Sequence, residues 1–286
     1  MKLKKLVAIT LSAVMCMAAL TGCGGKSDSA KKTAKVIEVD LTDEQYAFGV
    51  DKDQPDLLKE VNQFVKDMKS DGTFDEICNR YFGDGTPVPV KSAAYDESKD
   101  QLVVATNAAF EPFVYMDGEN YVGIDMEIAK ALADKLGKEL VIQNMDFDAV
   151  CLSVGQHKCD VAMAGLTIKP DREEYVAFSD PYYSASQKLI TLSTDTEFDA
   201  CKTADDVNKI LEAKGSDLKI GFQNGTTGQF YCEGDDDWGF PGLKMESKGY
   251  KNGSLAVQDL LNGNINYVII DSAPAESITS SINKMQ

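Results

Sequence analysis

The sequence predicts an α/β fold built as two units, each a largely parallel sheet with helices packed on it. Three features carry that expectation. Short apolar runs alternate with amphipathic helical stretches from residue 101 onward, the alternation occurs twice, and polar Gly-rich turns recur where the apolar runs end. At 286 residues, with 43% hydrophobic and 26% charged, the chain has material for one or two domains with real cores.

The first 23 residues stand apart. MKLKK is a basic start, LVAITLSAVMCMAAL is an apolar run too short and wrongly flanked to span a membrane, and together they read as an export signal. Leu20-Thr21-Gly22-Cys23 resembles the lipobox of bacterial lipoproteins. That resemblance implies loss of residues 1–22, a lipid on Cys23 and a place on the outer face of the cell membrane. GGKSDSAKKTAK then makes residues 23–34 a flexible tether. Cleavage would remove three lysines and no acid, taking the net charge from −17 to −20. A surface so acidic repels phosphate backbones and argues against nucleic acid as a partner.

In chain order, Leu57, Leu58, Val61, Phe64, Val65 and Met68 lie at helical spacing between Pro55 and Gly72. TFDEICNRYF follows as a short helix that the pattern opens with a capping box, Thr73 with Glu76. Residues 83–100 have no hydrophobic period and carry Gly, Pro and mixed charge, so they read as a linker. QLVVAT is a strand, GIDMEIAKALADKLG a helix stopped by Gly137, ELVIQ a strand, FDAVCLSVG a short helix and DVAMAGL a strand. Further on, TADDVNKILEAKG is a helix, LKIGF a strand ending in the turn QNGTTG, SLAVQDLLNG a helix and NYVII a strand ending at Asp271. In open α/β sheets, ligands bind at such strand ends.

Catalytic and metal arrangements find little support. The one histidine, His157, lies between a helix and a strand, at the sheet end away from the turns, and reads as an exposed turn residue. There is no Walker A sequence, no GxGxxG and no CxxC pair, so the expectation is no cofactor and no metal. CEGDDDWG lacks the alternating ligands of a calcium loop and reads as a solvated acidic loop. Export permits disulfides, and Cys151–Cys159 and Cys201–Cys232 are conceivable, with small buried hydrophobes the competing reading. Cys78 completes the odd set of five.

The strand-end turns instead suit an amino acid. A carboxylate wants a guanidinium fork and N–H donors, and an ammonium wants a buried carboxylate. Arg172, the Thr226–Thr227 turn and Asp271 offer these, and Phe110, Phe113 and Phe147 sit on neighbouring turns. Singly each has an ordinary structural reading; their shared place at strand ends favours a site.

The stretches TNAAFEPFVYMDGENYVGIDMEIAKALADKLG, MDFDAVCLSVG, AGLTIKPDREEYVAFSDPYY, NGTTG and DSAPAE resemble the polar amino-acid substrate-binding proteins of ABC importers, solute-binding family 3. The resemblance covers nearly all of residues 36–286 except the linker. It implies a two-lobed, type II periplasmic-binding-protein fold that closes on one ligand. It implies that Arg172 grips the α-carboxylate with Thr167, Thr226 and Thr227, and that Asp271 holds the α-ammonium with the Gly165 carbonyl. Phe110 and Phe147 would sandwich the side chain, and Asn107, Asp125 and Gln223 would meet its polar end, beside Ile270. The ligand expected is a neutral polar L-amino acid first and a cationic one second, delivered by a monomeric receptor to a membrane permease.

The order of the segments departs from the family. A stretch like residues 41–83, LTDEQYAFGV…LLKEVNQFVKDMKSDGTFDEICNRYFG, usually ends such a chain, and here it precedes the first strand. The sequence therefore predicts circular permutation, with hinges near Gln45–Phe48 and Lys188–Thr191. Residues 45–190 would form lobe 1 with the linker 83–100 in it. Residues 191–286 would form lobe 2, joined by a strand and crossover at 35–44. Two other classes remain open: an exported dehydratase of the cyclohexadienyl type, with Glu111 or Asp125 as proton donor, and a ligand-sensing module.

Overall fold

The computed structural model describes residues 31–286. The leader, Cys23 and most of the tether lie outside the described residues. Strand β1 (Ala34–Val36) starts the chain, followed by β2 (Glu44–Tyr46), β3 (Gly49–Asp51), α1 (Pro55–Ser70) and α2 (Thr73–Phe82). After the irregular stretch 83–100 come β4 (Gln101–Thr106), β5 (Ala109–Phe110), β6 (Val114–Asp117), β7 (Asn120–Val122), α3 (Ile124–Leu136) and β8 (Glu139–Asn144). Then follow a 3-10 turn (Phe147–Ala149), α4 (Val150–Gly155), β9 (Val161–Ala162), β10 (Val176–Phe178), β11 (Tyr183–Ala185) and β12 (Gln187–Leu192). The chain closes with α5 (Ala204–Glu212), β13 (Lys219–Gln223), α6 (Thr227–Glu233), β14 (Glu246–Tyr250), α7 (Gly253–Asn262), β15 (Tyr267–Asp271) and α8 (Ser272–Met285).

Two five-stranded sheets organise this chain, in the orders β10-β3-β9-β4-β8 and β1-β12-β15-β13-β14. In the first, β4 runs parallel to β8 and β9, and β3 is antiparallel to both its neighbours. In the second, β13 runs parallel to β14 and β15, while β12 is antiparallel to β15 and β1. Each sheet is covered on both faces, which is why its strands read as continuous apolar runs rather than alternating ones. In lobe 1, α1 and α3 bury Val61, Phe64, Ile128 and Leu132 against Leu102 and Val104, while α4 buries Val150 and Val154 against Val103 and Ala105. In lobe 2, α5 and α6 pack Val207, Leu211 and Tyr231 on Ile220 and Ile269; α7 and α8 pack Val257, Leu260 and Ile278 on Val268 and Ile270.

The chain crosses between lobes twice, through the two-stranded antiparallel ribbon β2–β11, with Tyr46 opposite Tyr183 and Glu44 opposite Ala185. The first crossing runs through Glu44–Tyr46. The second does not lie at Lys188–Thr191: those residues are inside β12 and belong to the lobe 2 sheet, and the ribbon strand is earlier, at Tyr183–Ala185. Residues 187–192, QKLITL, contain no Gly or Pro, so the sequence alone marks no break there.

Other local expectations are also revised. Thr73 is the first residue of α2 and not its cap. Asp71 accepts the Thr73 N–H at 2.9 Å, and Gly72 takes φ +88°, a turn that a Cβ would disfavour. The capping box expected at Thr73 and Glu76 is not formed; one is present at α5, from Thr203 and Asp206. The hairpin strands β5–β7 come from a stretch whose turns hid its alternation. The linker is strapped to lobe 1: Val90 and Tyr121 exchange backbone hydrogen bonds, and Ala93 donates to Leu140. Buried Glu127 accepts from Arg80, Tyr81 and the Val88 N–H, fixing where the linker leaves α2.

Candidate functional site

The site lies where the strand ends of the two sheets face each other, and it has a positive and a negative pole. Arg172 opens a single 3-10 turn after Pro170. Its side chain is buried; one guanidinium nitrogen donates to the Thr167 carbonyl at 2.6 Å and the other to the Gly225 carbonyl of lobe 2 at 2.9 Å. The Phe147 ring lies beneath it, 5.3 Å from centroid to Cζ. Among the described residues Arg172 has no ion pair; a buried guanidinium with five N–H donors and neutral partners is suited to an anion. A cavity of about 240 Å³ opens beside it, lined by Phe147, Cys151 and Gly225 together with the acidic Asp148, Asp171 and Glu174.

The negative pole holds two buried carboxylates, Asp271 at the end of β15 and Glu44 at the start of β2. The Tyr46 hydroxyl donates to Asp271 Oδ1 at 2.6 Å. Glu44 accepts from the hydroxyls of Thr42 and Thr167, at 2.5 and 2.8 Å, and from Gln187 Nε2 at 3.0 Å. All four donors are neutral. Burial first, and then the charge of Glu44, push the Asp271 carboxyl above its ordinary range. Thr167 joins the poles: its carbonyl accepts from Arg172 and its hydroxyl donates to Glu44.

Between the poles lie the amides. Asn107, just past β4, donates from Nδ2 to the Met145 carbonyl at 2.7 Å. A carbonyl only accepts, so the Asn107 oxygen must face Gln223 of lobe 2, whose Nε2 donates to it at 3.3 Å. Gln223 Oε1 is thereby buried without a donor. Thr226 donates its hydroxyl to the Gln223 carbonyl at 2.7 Å, and Thr227 begins α6. Gly165 has φ +58°, and a Cβ there would stand 2.7 Å from the Phe110 ring, so glycine is needed for both conformation and space. A further interlobe tie has no signal in the sequence. Lys169 is buried with its ammonium 3.0 Å from both Asp171 and lobe 2 Asp235, over the Phe230 ring.

The structure thus brings Asn107, Phe147, Thr167, Arg172, Gln223, Thr226, Thr227 and Asp271 to facing strand ends, with Phe110 and Gly165 packed on each other beside them. Asp125 goes elsewhere. It lies inside lobe 1, fully buried, accepting the Tyr182 hydroxyl at 2.6 Å and the Gly165 N–H at 2.7 Å. Both oxygens are committed, and the carboxyl, pushed up to about 7 by burial, holds the Gly165 turn in place. The expected contact of Asp125 with a ligand is replaced by this positioning role. Ile270 also turns away, because strand alternation sends it into the lobe 2 core against Gly253. Phe113 is core as well, edge-on to Tyr46.

Glu44, Tyr46, Gln187 and Lys169 were missed. Glu44 and Tyr46 share one face of β2 at a spacing of two, which is the signal the sequence offers. Glu111 lines a separate cavity with Arg80 and Tyr115. His157 is exposed, at φ +57°, and pairs with Asp51 at 2.8 Å, which raises its pKa. All five described cysteines are unpaired: Cys159 donates to Gln143, and Cys232 is enclosed in the lobe 2 core. No helix among the described residues is long and apolar enough to cross a membrane.

Comparison with known proteins agrees with this architecture. The profile of the bacterial extracellular solute-binding proteins, family 3, matches residues 9–84 and 102–271. The arginine-binding extracellular protein ArtP of Bacillus subtilis is 29% identical over 202 residues, 65% of this chain and 75% of that protein. The structure of holo ArgBP from T. maritima aligns at 30% identity and TM-score 0.52, over 66% of this chain and 78% of that one. An ancestral arginine-binding protein bound to glutamine aligns at 32% identity and TM-score 0.52, over 64% and 74%. With both lobes and the facing strand ends in place, this chain belongs to the bacterial extracellular solute-binding proteins of family 3.

Proposed function

We propose that the protein is a lipid-anchored receptor that closes its lobes on an L-amino acid and delivers it to an ABC permease. One observation carries this reading: among the described residues, a buried guanidinium has no anion and two buried carboxylates have no cation, and the single residue Thr167 joins them. That charge pattern complements a zwitterion. Arg172 takes the α-carboxylate, with Thr226 and Thr227 beside it, and Asp271 takes the α-ammonium. Phe110 and Phe147 flank the side chain. Closure is favoured because Arg172 and Gln223 reach across to the opposite lobe, so the bound state completes contacts that neither lobe makes alone.

The side-chain end is met by amides. Gln223 Oε1, fixed as an unpaired acceptor, suits an N–H donor such as a carboxamide. With both Asp125 oxygens committed within lobe 1, a neutral polar amino acid is the first choice. A cationic one is second, favoured by the arginine-binding names of the relatives. A thermal-shift panel of amino acids tests the reading: one ligand at about 100 times its Kd adds roughly 2.7 kcal/mol, several degrees for a domain of this size.

The segment order is read as a circular permutation. Strand β3, which enters lobe 1 before β4, lies between β9 and β10 in its sheet, where a returning C-terminal segment would insert. The family profile matches in two pieces, residues 9–84 and 102–271, either side of the 83–100 linker, which supports that reading. The lipid on Cys23 then attaches through lobe 2. A chain re-cut within 83–100, with its present termini joined, is expected to fold and bind unchanged; failure to fold would count against permutation.

A further inference from the structure

We propose that His157 and Asp53 form a binding site for a transition-metal dication of the zinc class, with buried Asp51 orienting the imidazole, at the end of lobe 1 away from the amino-acid site.

The topology gathers these three residues. Strand β3 ends at Asp51, and Val50 pairs with Val161 at the start of β9. Strand β9 runs parallel to β4, so this is the opposite end of the sheet from Asn107. His157 arrives on the turn between α4 and β9, 106 residues beyond Asp51 in sequence. Residues drawn from two such distant segments form no motif, so the chain alone gives no sign of them.

The roles follow from hydrogen-bonding chemistry. His157 Nδ1 lies 2.8 and 3.0 Å from the two Asp51 oxygens. A carboxylate only accepts, so Nδ1 carries a proton and donates it. In the neutral ring the Nε2 lone pair is then left for another partner, and Asp53 Oδ2 stands 3.6 Å from it. That is too long for a hydrogen bond but suits two ligands of one ion. Tetrahedral ligands at about 2.0–2.1 Å from zinc are about 3.3 Å apart, so a shift of a few tenths of an ångström closes the site. The side chains of His157 and Asp53 are 57% and 79% exposed, free to make that shift and to leave room for water ligands. Asp51 is 5% exposed and held in place. A carboxylate behind the far nitrogen of a ligating histidine is how metal sites fix the tautomer and aim the ring. Asp51 also accepts the Asp53 N–H at 2.9 Å, which sets the backbone beneath the second ligand.

Neighbouring charges stay out of the group. The Lys52 ammonium donates to the Glu174 carbonyl, and the two Asp160 oxygens accept from Gln54 and from the Val103 N–H. One imidazole and one carboxylate, completed by water, suit Zn²⁺, Co²⁺, Ni²⁺ and Cu²⁺, with Cu²⁺ the tightest. They do not suit Ca²⁺ or Mg²⁺, which want more oxygen ligands. The bound ion ties the turn after β3 to the turn before β9.

The test uses the purified, untagged protein at about pH 8, above the histidine range, with excess Ca²⁺ to occupy the acidic surface. Calorimetry with Zn²⁺ should find one site per chain. The chain has one histidine, so imidazole-nitrogen coupling in the electron spin echo of bound Cu²⁺ identifies His157 directly. His157→Asn keeps a residue that tolerates the +57° backbone, and it should remove that signal. Zinc affinity should fall at least about tenfold in His157→Asn and in Asp53→Asn. Asp51→Asn should keep the site and the imidazole signal with affinity about 10- to 100-fold lower, the pattern of a residue that aims the ring without holding the ion. Unchanged zinc affinity in His157→Asn would mean that the ion sits elsewhere on the acidic surface and would overturn the site. Unchanged affinity in Asp53→Asn, or loss of the imidazole signal in Asp51→Asn, would overturn the assigned roles.

Discussion

Asp125 and Asp271 are two buried aspartates in matching places. Each stands at the beginning of a helix, α3 or α8, and each accepts a tyrosine hydroxyl at 2.6 Å, from Tyr182 or Tyr46. The two tyrosine rings are neighbours, 6.4 Å apart between centroids. They differ in what surrounds the carboxylate. Asp125 has a second donor, the Gly165 N–H, and lies within the core of one lobe. Asp271 shares its cluster with Glu44 at the junction of lobe 2 and the crossing ribbon. Burial alone therefore does not mark a binding residue. Committed oxygens make a brace, and an acid crowded by another acid makes a site for a cation.

The largest effects separate the two. Asp271→Ala should weaken amino-acid binding by at least about 100-fold, because truncating one member of a buried charge pair strands the other. Its stability near neutral pH should fall less, because the stranding of the Tyr46 hydroxyl is offset by removal of an acid crowded by Glu44. Asp125→Ala should do the reverse. It strands the Gly165 N–H and the Tyr182 hydroxyl, costing about 2–4 kcal/mol of stability, seen as a lower denaturation midpoint. Comparable losses of stability in both variants would collapse the distinction.

At the positive pole, Arg172→Ala should lose binding to a similar extent as Asp271→Ala. Arg172→Lys should keep a fraction, about a tenth or less, because a point charge cannot hold the Thr167 and Gly225 carbonyls and a carboxylate together. Calorimetry with the best ligand from the panel decides this.

A smaller effect comes from pH. The Asp125 carboxyl is held up at about 7, well above an unfolded aspartate near 4. The folded state therefore binds this proton more tightly. Its stabilising contribution is complete below about pH 4 and is lost as pH rises through about 7. The melting temperature of the ligand-free protein should fall between pH 5 and pH 8, and the fall should be shallower in Asp125→Asn. An identical pH profile in that variant would place the proton elsewhere.

The smallest effect concerns the interlobe tie at Lys169, which sits between Asp171 of its own lobe and Asp235 of the other. Lys169→Met should lower affinity about 3- to 30-fold without altering which amino acid is preferred, since the tie acts on closure and touches no ligand group. A change of preference would mean that Lys169 reads the ligand.

Much of this was legible from the chain. The strands QLVVAT and NYVII, and the helices from residues 57 and 124, were marked by apolar period and by glycine stops, and the strand-end turns pointed to Arg172 and Asp271. What escaped was set by tertiary pairing. Glu44 and Tyr46 look like an ordinary polar crossing until β11 pairs with β2 and turns both inward. Lys169 looks like a surface lysine until Asp235 and Phe230 arrive from a segment far along the chain. Asp125 has the composition of a ligand contact, and only the return of Tyr182 and Gly165 shows that its oxygens are taken. Residue type and spacing indicate which groups gather at strand ends; which of them keep a free oxygen is decided by partners distant in sequence.

The central claim is that the two poles clamp an amino-acid zwitterion. The most direct measurement is the thermal shift of the purified, ligand-stripped protein against the 20 common amino acids, cystine and ornithine, repeated with Arg172→Ala. The account predicts a rise of several degrees with a polar amino acid, greatest for a neutral one, and its loss in the variant. No rise with any of them in a folded wild-type protein, or an equal rise in Arg172→Ala, would contradict it.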